Sequence, residues 1–167
     1  GTKHSFPTRR SSDLLAGAHI HIQHVTTAAG VDIIRQAKQR GARVTAESAP
    51  HYFSLTEEAV SGFNTNAKMN PPLREPADVS AIIEGFKDGT LDCIATDHAP
   101  HTPTEKRVEF TEAPFGIVGL ETSLALTITY LVKPGHISLE HAVQLLSLGG
   151  ARVCHLNAGS LCPGAPA

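Results

Sequence analysis

The chain has 167 residues, 41% hydrophobic and 18% charged, with a formal net charge of −2, values that fit one packed, globular core. There is no long basic run beyond the first ten residues and no apolar run near the roughly 18 residues that span a bilayer, so nucleic-acid and membrane partners are not expected. The three cysteines, Cys93, Cys154 and Cys162, have no CxxC spacing, which fits reduced thiols in a cytoplasmic protein better than a disulfide framework.

Residues 1–14, "GTKHSFPTRRSSDL", have no apolar periodicity. "FPTRRSSDL" looks like the in-frame translation of a sequencing-adapter oligonucleotide, so this segment is read as a non-native leader and kept out of the fold. Residues 15–167 form the domain. "AHIHIQHVT" alternates, Ile20 and Ile22 on one side and His19, His21 and Gln23 on the other, the period of a strand. A helix is predicted over Ala28–Arg40, ending before Gly41, where positive φ is wanted. "ARVTAES" reads as a second strand, broken by Pro50. A short helix is predicted from Thr56, whose hydroxyl can cap it. After the irregular "NTNAKMNPPLR", Pro76 opens a helix whose Val79, Ile82, Ile83 and Phe86 fall on one face. Gly89 ends it, and "LDCIAT" is the third strand. Two further helices are predicted over Leu120–Leu131 and Leu139–Leu148, the second capped by Ser138. Strands alternating with helices predict an α/β fold with parallel strands.

Chemistry in such folds gathers at the C-terminal ends of strands. Here the first strand ends in His24, the second runs into "SAPHY" with His51, and the third ends in "TDHAPH", which holds Asp97, His98 and His101. Taken singly, a histidine at a strand end is more often a hydrogen-bonded structural residue than a ligand, which is how His51 and His98 are read, and Asp97 alone could cap a turn. It is their recurrence at successive strand ends that suggests a metal site built from residues distant in sequence, histidine being the commonest ligand.

In order and spacing, "HIQHVTTA", "RVTAESAPHYFSLT", "KMNPPLRE", "DGTLDCIATDHAPHTPTEK" and "EAPFGIVGLETSL" resemble the C-terminal half of bacterial-type dihydroorotase. That family is an amidohydrolase TIM barrel of pyrimidine biosynthesis that interconverts dihydroorotate and N-carbamoyl-aspartate over one or two zinc ions. The resemblance implies an incomplete (β/α)8 barrel containing its last three strands. It implies His24 and Asp97 as metal ligands, Asp97 also as the catalytic base, and Asn70, His101, Phe115 and Gly116 as substrate contacts. The partner it implies is a small-molecule substrate, with a homodimer or aspartate transcarbamoylase as possible protein associations of the complete molecule.

Several family features are missing. The HxH pair and substrate Arg of the first strand, the bridging carboxylate, a further His ligand and a substrate Asn lie outside this chain. The "HIH" of His19–His21 is not the family pair, and the resemblance gives it no ligand role. Gly149 and Gly150 in "SLGGARV" stand where the family has better helix starters, and are expected to weaken that helix. The fragment alone is expected to be inactive. Two other readings are a hydantoinase- or allantoinase-like cyclic amidohydrolase, against which "PFGIVGLE" and His101 speak, and a non-catalytic scaffold for aspartate transcarbamoylase, against which the retention of His24 and Asp97 speaks.

Overall fold

The structure, a computed structural model, describes residues 17–164 and 166; the predicted leader, residues 1–14, lies outside the described residues. Three parallel strands, β1 (Ile20–Ile22), β2 (Val44–Ser48) and β3 (Cys93–Ile94), form a sheet in the order β1-β2-β3. The helices are α1 (Ala28–Gln39), α2 (Pro50–Ser54), α3 (Pro76–Lys87), α4 (Pro103–Lys106), α5 (Ser123–Thr127), α6 (Leu139–Leu146) and α7 (Leu148–Val153). α5 runs directly into a π-helical turn over Ile128–Val132. The predicted α/β class and parallel pairing are what the described residues adopt.

One face of the sheet is apolar. Ile22, Ala46 and Ile94 pack against Val31 and Ile34 of α1, Ile82 and Phe86 of α3, Leu131, and Ala142 and Leu145 of α6. Period-2 alternation therefore sends the other set, His21, Thr45, Glu47 and Cys93, to the opposite face, in the registers His21↔Thr45 and Glu47↔Cys93. α1 is fastened to the start of β3 by Lys38, whose Nζ lies 2.7 Å from Asp92 Oδ2. The same Asp92 oxygen accepts the backbone N–H of Ala46 at 2.8 Å, so one carboxylate joins a helix to two strands.

The sequence expectations hold best for α1 and α3. Thr27 caps α1 by accepting from the Gly30 N–H, and Gly41 follows the helix at φ 78°. Ser138 caps α6 by accepting from the His141 N–H, as predicted. One expectation, the cap and helix at Thr56, needs correction, and two others gain detail. Pro50 does not simply end β2; it occupies the first turn of α2, where a missing N–H costs nothing. Thr56 precedes a 3-10 turn, Glu57–Val60, and its side chain makes no capping bond. α7 forms despite its glycines, and Gly149 is needed there: a Cβ would meet the Asp92 carbonyl oxygen at 2.3 Å and Cys93 Cβ at 3.0 Å. Here close approach to β3 outweighs helix propensity.

Candidate active site

Because the strands are parallel, their C-terminal ends share one edge of the sheet. His24 follows β1, His51 follows β2 within α2, and Asp97 follows β3. Both predicted metal ligands sit on unusual backbone: His24 has φ 37° and Asp97 φ 47°, the left-handed region that non-glycine residues seldom occupy. Such angles cost of order 1–3 kcal/mol each and persist only where the surrounding structure enforces them. His24 is half-buried and Asp97 exposed.

Between these ends lies His51, 3% exposed, whose Nε2 is buried without a hydrogen-bond partner. Burial pushes its pKa down to about 4; the Asp97 carboxylate opposes the shift and His24 adds to it. His51 thus feels both predicted ligands, and the three groups form one electrostatic neighbourhood. Burial, followed by the Asp97 charge, also raises the Tyr52 phenol above its ordinary range. Tyr52 Oη donates to the Pro71 carbonyl at 2.7 Å, which fixes the segment that begins at the exposed Asn70 and its cis bond to Pro71.

The predicted substrate residues are drawn together by backbone contacts. His101 Nε2 lies 2.9 Å from the Phe115 carbonyl oxygen. The Gly116 N–H donates to the Lys68 carbonyl at 3.0 Å, two residues before Asn70. Gly116, at φ 136°, leaves no room for a side chain, since a Cβ would lie 2.4 Å from the Ala99 carbonyl oxygen. His98 serves the structure of the loop, its Nδ1 accepting the N–H groups of Gly119 and Leu120 at 2.9 and 3.2 Å.

Sequence reasoning missed two lysines. Lys68 Nζ donates to the carbonyls of Phe110, Thr111 and Ala113, and lies 4.7 Å from the centre of the Phe115 ring. Lys106 Nζ donates to the carbonyls of Thr65, Lys68 and Pro114. Together they staple the loop that carries Phe115 and Gly116 to the segment before Asn70. Their acceptors lie about forty residues away in sequence for most of these bonds, so no local motif reveals them.

An imidazole at the end of β1 and a carboxylate at the end of β3, on either side of β2, are donor types that zinc accepts, and the partnerless nitrogen of His51 at the intervening strand end fits a site meant to hold something more. Separately, on the sheet face away from the helices, His21, Glu47 and Cys93 bring one donor atom each within 4.8 Å of one another.

The amidohydrolase family pattern matches residues 1–167. The chain belongs to the amidohydrolase family. Among relatives in that family, it is 58% identical over 144 residues to the dihydroorotase of Ruminiclostridium cellulolyticum, a match covering 86% of this chain and 34% of that protein. With the dihydroorotase of Acetivibrio thermocellus the identity is 56% over 142 residues, covering 85% and 33%. The chain therefore spans about a third of the length of the curated relatives it matches. Among solved amidohydrolase structures, the L-hydantoinase (dihydropyrimidinase) of Arthrobacter aurescens superposes with a TM-score of 0.88 at 28% identity, over 98% of this chain and 37% of that one. Among the described residues no helix is long and apolar enough to cross a membrane.

Proposed function

We propose that the complete protein is a zinc-dependent dihydroorotase and that this chain contributes the last three strands of its eight-stranded barrel. Identity to dihydroorotases is about twice that to the hydantoinase it superposes on, 58% against 28%. The observation that carries the substrate assignment is the contact between His101 and the Phe115 carbonyl. It joins the two stretches, "TDHAPH" and "PFGIVGLE", in which dihydroorotases differ from their hydantoinase relatives.

His24 and Asp97 would hold zinc, with further ligands from the rest of the barrel. The metal would supply polarisation of the ring amide carbonyl and acidification of water. Asp97, exposed at the strand end, takes the proton of the attacking water as the new C–O bond forms. It returns that proton to the ring nitrogen as the C–N bond breaks, giving N-carbamoyl-aspartate. Ring closure runs the same path backwards with loss of water. Asn70, His101 and the backbone of Phe115 and Gly116 orient the substrate, and the buried, uncharged His51 keeps a second positive charge away from the base. A cytoplasmic setting, and association with a second copy or with aspartate transcarbamoylase, belong to the same reading.

The test is to assay the complete protein on dihydroorotate, hydantoin and allantoin. Preference for dihydroorotate is expected. Preference for hydantoin or allantoin would move the assignment to the related cyclic amidohydrolases, and zinc-loaded protein inert on all three would favour the scaffold reading.

A further inference from the structure

The strand face opposite the helices carries a second group of donors that the reading above does not use. Glu47 and Cys93 are direct cross-strand partners, and His21 stands one strand over beside Thr45. His21 Nε2 lies 2.9 Å from Glu47 Oε2, and Cys93 Sγ lies 3.8 Å from the same oxygen. In a tetrahedral zinc site, bonds of about 2.0–2.3 Å set neighbouring donors about 3.3–3.7 Å apart. The two distances here bracket that value, so small rotations of the side chains would suffice. Thr45 Oγ1, 2.9 Å from His21 Nδ1, braces the ring through the nitrogen that would not bind metal, the usual support for a histidine ligand. Among the described residues, His21 and Glu47 keep 19% and 15% side-chain exposure; in the complete barrel proposed above this face is its interior.

We infer that His21, Glu47 and Cys93 form a second divalent-metal site, for an ion of the zinc or cobalt class, on the strand face and separate from His24 and Asp97. Imidazole, carboxylate and thiolate together suit an ion of intermediate softness, whereas calcium and magnesium demand oxygen. A neutral imidazole with two anionic donors balances the double charge of the ion. Without metal the thiol is held protonated: burial, then the charges of Glu47 and Asp92, push Cys93 up to about 12. Binding therefore forms a metal–sulfur bond and releases the thiol proton to water, so affinity should fall as pH is lowered.

The site is tested in the complete protein with the exposed Cys154 and Cys162 changed to serine, loaded first with zinc at the proposed His24 and Asp97 site and then titrated with cobalt(II). A sulfur-to-cobalt charge-transfer band that saturates at one equivalent is expected. Cys93→Ser should abolish it, and Thr45→Val should weaken binding about 10–100-fold through the lost brace. His24→Ala and Asp97→Asn should leave it unchanged, because neither brings sulfur. Absence of the band in the parent, its survival in Cys93→Ser, or its loss in His24→Ala or Asp97→Asn would overturn the inference. Should a variant fail to fold, the parent spectrum decides. The dihydroorotase reading can fail in its own assay without altering this band.

Discussion

Asp97 holds a backbone angle that asparagine tolerates at least as well as aspartate, so Asp97→Asn removes the proposed base while leaving the turn intact. In the complete protein this variant should lose about 10²–10⁴-fold in turnover while keeping most of its zinc, as measured by steady-state rates and metal analysis. A rate near that of the parent would remove Asp97 from the mechanism. His101→Ala frees the Phe115 carbonyl but touches no predicted ligand. It should raise KM more than it lowers kcat and leave metal content unchanged; loss of zinc would make His101 a ligand instead. At Cys93 the raised pKa gives a prediction for metal-free protein: at about pH 8 the native chain should alkylate at the exposed Cys154 and Cys162, and at Cys93 only after denaturation. Peptide mapping reads this directly. The placement of Asp97 and His24 at strand ends was legible because the alternation and the apolar runs mark where the strands lie. That His51 Nε2 is buried without a partner was not legible, being a property of packing and not of spacing.

α7 shows how an element can obey its neighbours over its own propensity. Gly149→Ala should destabilise the docking of this helix on β3 by about 1–3 kcal/mol, because the added methyl meets a backbone oxygen that cannot swing aside. Gly150→Ala, one residue on, meets nothing within 4 Å and should be neutral or stabilise by about 0.5–1 kcal/mol. Thermal unfolding of the two variants separates these outcomes; equal effects would reject the packing argument. In the sequence both glycines look like the same liability, since the oxygen of Asp92 comes from a strand nearly sixty residues earlier. α1 was readable almost to its ends because Thr27 and Gly41 act locally. β1 is three residues long where a longer alternation was expected, because the backbone turns to positive φ at His24. The alternation correctly sorts its side chains by face, yet cannot mark where pairing stops.

At the scale of the molecule, the described sheet is covered by helices on one face, whereas parallel sheets ordinarily need both faces covered. Its outer strands, β1 and β3, each pair on one side only, and unpaired edges recruit other chains. Residues 15–167 expressed alone should accordingly self-associate as concentration rises and show no carbamoyl-aspartate cyclisation. Sedimentation and an activity assay check this, and a stable monomer with turnover would refute it. Within the same molecule, Lys68 and Lys106 each gather three carbonyls and hold the loop of Phe115 and Gly116 against the segment before Asn70. A ligand docking on that rim would find it already ordered when the chain folds. Little conformational entropy remains to be surrendered at the moment of binding, so a calorimetric titration of the complete protein should record association with only a small entropic penalty from this loop, and Lys68→Met should enlarge it.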